Sequence, residues 1–242
     1  MKKNVEKKKF NSERLERIIT VFVFTTLVMS AIYAAVNVFF VTPGMVPNEP
    51  HGKVKSDYVL MLLQCVIGIS VMFLPGLLKK RWKISVPSFM HMMFALFLFA
   101  AIVLGEVRNF YYTIPHWDTV LHSFSGAMLG AIGFSVVDLF NTNENVSVHM
   151  SEKFVAIFAF CFALALGAVW EIYEFTGDSI LGLNMQKFAL EDRTMLVGQA
   201  ALADTMKDII VDALSALAMT IVGYFSLKER KRLERIKITR ER

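Results

Sequence analysis

Only two cysteines occur in the chain, Cys65 and Cys161, and neither belongs to a CxxC pair or sits beside a histidine cluster. Both fall inside apolar runs, so they read as reduced, buried thiols acting as small hydrophobes rather than as a disulfide framework. Charge is scarce as well, at 19% of 242 residues against 55% hydrophobic. Soluble domains are less apolar than this. No internal repeat, low-complexity tract, separate soluble domain or G-x-S-x-G nucleophile elbow occurs, and the fourteen methionines read as packing material. What remains is six long apolar runs, each sufficient to cross about 30 Å of hydrocarbon. They predict an all-α, polytopic membrane helical bundle with about six transmembrane helices.

The expected spans are 18–41, 58–78, 87–107, 118–140, 153–175 and 204–225. They divide the chain into a basic N-terminal segment over 1–17, a six-helix transmembrane domain over 18–226 and a basic tail over 227–242. The first segment has the charge of a signal-peptide n-region, but the run behind it is too long for an h-region and lacks a small-residue cleavage site. It therefore reads as partly helical and followed by an uncleaved span. Pro43, Gly44 and Pro47 break the chain after the first span, and Pro87 opens the third, where its missing N–H has no partner to lose. Tyr111, Tyr112 and Trp117 suit a headgroup interface. The loop over 176–203 carries Gly177, Gly182 and Gly198, with Asp178, Glu191, Asp192 and Arg193 expected to be ordinary loop charges.

A formal charge of +5 invites a nucleic-acid reading, but the position of the charge argues against one. Of the 26 Lys and Arg residues, 20 lie in the N-terminal segment, the second and fourth loops and the tail; the other three loops hold 6. Cytoplasmic segments carry such an excess. Both termini are therefore expected in the cytoplasm, the lipid bilayer is the expected partner, and protein partners stay open.

In this topology the fifth span ends outward at Glu171 and Glu174, while the fourth and sixth begin outward at Asp118 and Asp204. Intramembrane charges are costly and normally face a partner or a water-filled cavity. Asp118 and His122 are four residues apart, Glu171 and Glu174 three, and Asp204, Asp208 and Asp212 follow at steps of four, so each set lines one helix face. Carboxylates and an imidazole converging from three helices match the metal sites of bundle cores. Asp118, His122, Glu171, Glu174, Asp204 and Asp208 are thus candidate ligands for a divalent metal ion: zinc, manganese, iron or magnesium. Asp212 is left open. Each residue also has a plainer role: Asp118 and Asp204 as helix caps, Glu174 as a solvated interface residue, His122 as a core histidine. Glu106 and Arg108 end the third span on the same side, as interface charges that could supplement the cluster, whereas His91 and Asp138 lie toward the other end. Ser123, Gly126, Gly130 and Gly133, and Ala163, Ala165, Gly167 and Ala168, provide small-residue contact faces.

The blocks Trp117-Asp118-x-x-x-His122-x-x-x-Gly126, Glu171-x-x-Glu174 and Asp204-Thr205-x-x-Asp208 resemble the YjdF-type family of bacterial inner-membrane proteins, and more distantly VanZ-like proteins. The resemblance covers about 117–216, and Asp212 departs from the apolar residue expected there. It implies a multi-pass protein of the bacterial cytoplasmic membrane and supplies no reaction. Three functions stay open: a metal-binding membrane protein, extending to a metal-dependent enzyme on a lipid or envelope substrate; a proton- or cation-coupled transporter; and a non-catalytic scaffold or regulator. No catalytic residue or organic cofactor site is assigned.

Overall fold

A computed structural model describes residues 2–42, 52–82, 87–141, 150–190, 192 and 194–240. Pro43, Gly44, Pro47, the polar loop over 142–149, Glu191, Arg193 and the side chain of Asp138 lie outside the described residues. Among those described, six helices are long and apolar enough to cross a membrane, and the only strand-like pairing is one isolated bridge, Ala189 to Met195. The helices fall into two compact units, 1–117 and 118–242.

The first unit comprises α1 (Lys2–Phe40), α2 (Lys55–Met72), α3 (Leu74–Trp82), α4 (Ser88–Leu98), a π-helical segment (Phe99–Val107) and α5 (Phe110–Thr113). The basic N-terminal segment is helical and continuous with the first span. The expected second span breaks at Phe73 into α2 and α3; Pro75 lacks the N–H that would continue the ladder. The third span changes winding midway, so that the Arg108 N–H bonds to Val103 O at 3.0 Å, five residues back. Apolar patterning carries no signal for that change. Val23, Leu27, Met61, Cys65, Ala95 and Ile102 form the buried core of the unit. His91 Nδ1 lies 2.7 Å from Glu16 Oε1, and the Lys53 ammonium donates to the Glu106 carbonyl at 2.8 Å.

The second unit comprises α6 (Trp117–Asn141), α7 (Glu152–Leu181) and α8 (Gln199–Arg240). Trp117 opens α6 and packs edge-to-face on Phe110, with ring centroids 5.1 Å apart. Ser151 caps α7, its hydroxyl accepting from the Phe154 N–H at 3.3 Å. Gly182, at φ 65°, ends α7, a conformation that only glycine adopts without penalty. This helix therefore runs past the expected end at Phe175, and Asp178 is helical rather than a loop residue. α8 begins at Gln199, five residues before Asp204, and continues through the basic tail. Asp204 consequently occupies the second turn, which removes its capping role; Asp118 stays in the first turn of α6, where a carboxylate favours the dipole.

Small residues bring these three helices into close contact. A Cβ on Gly126 would lie 2.7 Å from Asp212 O, one on Gly133 would lie 2.7 Å from Ala159 Cα, and Gly130 faces Ala216 and Met219. On α7 the buried face is Val155, Ala159, Ala163, Gly167 and Glu171, a strict four-residue repeat. Ala165 and Cys161 project from other faces and are exposed. Cys161 is thus not the buried thiol expected, because it lies two residues out of phase with that repeat.

Candidate metal centre

His122 is the hub of the polar cluster. It projects from the second turn of α6, and only 8% of its surface is exposed. Its Nε2 lies 3.8 Å from Asp118 Oδ1 and 3.9 Å from Asp208 Oδ2. Asp118, His122 and Asp208 each offer one ligand atom, and the three atoms lie within 4.8 Å of one another. On the other side of the ring, Nδ1 lies 3.4 Å from Asp212 Oδ2. With Nδ1 donating to Asp212, the lone pair of Nε2 is left for the space shared by Asp118 and Asp208. A carboxylate behind a ligating histidine orients and polarises it in this way.

Asp212, left open by the sequence, is therefore part of the cluster, one turn deeper than the ligand atoms. Ser125 steadies it, its hydroxyl lying 3.3 Å from Asp212 Oδ1 and donating to the His122 carbonyl at 2.9 Å. Space for this carboxylate comes from Gly167, where a Cβ would lie 2.5 Å from Asp212 Oδ2. Spacing shows that Gly167 lies on a contact face, but not that it opposes a carboxylate.

Glu171, one turn outward from Gly167, has 5% of its surface exposed. Neither of its oxygens makes a hydrogen bond of good geometry, although the Thr205 side chain is near enough to interact with the carboxylate. It lies within electrostatic range of Asp118, His122 and Asp208. A buried carboxylate without a partner is expensive, since such groups are normally hydrogen-bonded, paired or bound to a metal. Glu174 behaves differently: its Oε1 accepts from the Trp170 indole at 2.9 Å on the same helix. Asp204 is partly buried at the outer rim, with Lys187 in electrostatic range of both it and Glu174. Of the six candidate ligands, three converge closely, Glu171 stands beside them, and Glu174 and Asp204 form a rim. Glu106 is buried in the other unit.

The segment between α7 and α8 is ordered by Asp178, whose carboxylate accepts from the Met185 N–H at 2.7 Å and the Gln186 N–H at 3.0 Å. Asn184 adds a reciprocal pair with Ala189, and the Gln186 amide donates to Thr205 Oγ1 at 2.8 Å. Asp192 accepts from the Thr194 N–H at 2.9 Å, a bond that holds its carboxyl below the ordinary range. Asp192 is thus the exposed loop charge expected, whereas Asp178 is a structural anchor. The signal available for Asp178 was Gly182 four residues on, a helix stop later than the last bulky apolar residue.

Residues 15–229 match the family described as "Predicted membrane protein (DUF2238)". The chain belongs to that family. It is similar to a protein of Thermotoga maritima described as uncharacterized, at 27% identity over 153 residues, covering 63% of this chain and 70% of that protein. No solved structure matches. Membership of the family accords with the six apolar helices and brings no stated activity.

Proposed function

We propose that this membrane protein binds a divalent cation through Asp118, His122, Asp208 and Glu171, with Asp212 orienting the imidazole. The observation that carries the reading is Glu171: a buried carboxylate with no well-formed hydrogen bond, beside three ligand atoms that already lie close together. Four aspartate and glutamate side chains around one imidazole leave a buried negative excess that costs several kcal/mol per uncompensated ion. A bound cation removes that excess and gives Glu171 a charged partner in addition to the nearby Thr205 side chain. The mixed oxygen and nitrogen donors suit zinc, manganese or iron, and an all-oxygen subset suits magnesium. Glu174 and Asp204 then serve as the rim of the site, with Lys187 limiting their charge.

The distribution of Lys and Arg supports both termini in the cytoplasm of a bacterial inner membrane, which puts the centre near the outer surface. The resemblance to YjdF-type and VanZ-like proteins fits the same topology. A cation there would supply Lewis acidity and an acidified water to a lipid or envelope substrate. A proton-relay reading is weaker, because the buried face of α8 continues below Asp212 as Ala216 and Thr220, neither of which carries a titratable group.

Elemental analysis of detergent-purified protein tests the proposal, with wild type beside Glu171→Gln, His122→Ala and Asp208→Asn. About one equivalent of metal per chain is expected in wild type and none in the monodisperse variants. Stoichiometric metal retained in all three variants, or no uptake by wild type dialysed against zinc, manganese, iron and magnesium, overturns it.

A further inference from the structure

At the opposite end of the same three-helix unit, α8 stays helical after its apolar run stops. Phe225 and Leu227 are followed by Lys228, Arg230, Lys231, Arg232 and Arg235. From Asp204 to Lys228 is about 36 Å of helix, enough to pass from one membrane surface to the other. A groove of about 770 Å³ opens here, lined by Tyr224, Lys228, Lys231, Arg232 and Arg235 of α8 and by Glu152 at the start of α7. Steps of three and four residues put the tyrosine and the cations on one side of α8.

Two of the four cations are already matched by acids. Lys231 Nζ lies 2.8 Å from Glu152 Oε1, and Arg232 lies 3.5 Å from Glu229. The groove thus keeps a net charge of two positive units. Lys228 leans over the Tyr224 ring, 6.0 Å from its centroid. Just below the cations and on the same side of α8, Ile221 is 49% exposed and Phe225 60%, an apolar wall that runs down into the membrane-spanning part of the helix. A cationic rim above an exposed apolar wall fits a molecule that is anionic at one end and apolar below.

We propose that this groove binds an anionic phospholipid, its phosphodiester held by Lys228 and Arg235 and one acyl chain lying along Ile221 and Phe225. Basic side chains immediately beyond a membrane span recognise anionic headgroups through their summed charge, and arginine adds forked hydrogen bonds to phosphate. A free phosphate ester would use the rim but not the wall. The proposal stands apart from the metal centre and uses none of its residues.

The test is native mass spectrometry of the full chain titrated with phosphatidylglycerol or phosphatidylcholine in detergent. Wild type is expected to retain phosphatidylglycerol preferentially, and the preference should vanish between about 0.1 and 0.5 M salt as screening shortens. Lys228→Gln with Arg235→Gln should weaken that binding on the order of tenfold, whereas Lys80→Gln with Arg81→Gln, which removes equal charge elsewhere, should not. Glu152→Gln should strengthen it by removing a competing acid. Equal affinity for the two lipids in wild type, equal loss in both double variants, or competition by glycerol phosphate as effective as the lipid itself overturns the proposal. The wild-type comparison and its salt dependence decide the matter even if a variant fails to fold.

Discussion

Among the described residues, 2–117 bury an apolar cluster with one carboxylate, Glu106, whereas 118–240 bury His122 and four carboxylates. The first unit seals Val23, Leu27, Met61 and Cys65 completely and couples His91 to Glu16. The second encloses His122, Glu171, Asp178, Asp208 and Asp212, and alanine supplies four of its nine buried apolar positions against two of eleven in the first. The contrast follows from how helices associate in lipid. Bulky side chains interlock by dispersion, whereas small residues let backbones approach so closely that polar groups from different helices meet. One unit therefore gains cohesion from side-chain volume, the other from the absence of volume. Only the second can build a site, and it does so by accepting carboxylates that need a partner.

That contrast predicts opposite responses to changes in volume. Met61→Ala, which empties a fully buried position, is expected to cost about 2–5 kcal/mol and to leave metal content per folded chain unchanged. Gly126→Ala adds one methyl against the Asp212 backbone and Ser215, costing about 1–3 kcal/mol, and should lower metal content as well by displacing Asp212. Thermal denaturation in detergent combined with elemental analysis separates the two. If Met61→Ala also stripped the metal, the division of labour between the units would be wrong.

Smaller effects sharpen the same division. Asp178→Asn weakens two charge-assisted bonds to backbone amides, each worth about 1.5–3 kcal/mol when the carboxylate is intact. Amide exchange at Met185 and Gln186 should accelerate, while α1 and α2 keep their protection. Least of all, Glu16→Gln removes one partner of the partly buried His91 contact and should shift stability by about 0–1 kcal/mol, with no change in bound metal or lipid.

Much of this architecture was legible before any coordinates. Six apolar runs could become little else, because an unpaired backbone is intolerable in hydrocarbon and only helices or closed barrels satisfy it. The four-residue steps of Asp118 to His122 and of Asp204 through Asp212 put those side chains on single faces, and the glycines of α6 marked it as a contact helix. Helix ends were less legible. α7 runs on to Gly182 and α8 starts at Gln199, since ends are set by caps and by the packing of the segment between them rather than by hydropathy.

The sequence by itself determined the fold class, the six spans and the helices that carry ionisable groups, because hydrophobic length and helical period are local properties. Tertiary structure alone decided which of those groups meet. It joined Asp212 to the Nδ1 side of His122, gave Glu174 a hydrogen bond from Trp170 at the edge of the cluster, and left Glu171 buried with no well-formed hydrogen bond. Those outcomes depend on helix rotation and on gaps one methyl wide at Gly126 and Gly167. Distances of that size are set by contacts between segments far apart in the chain, which no local pattern records.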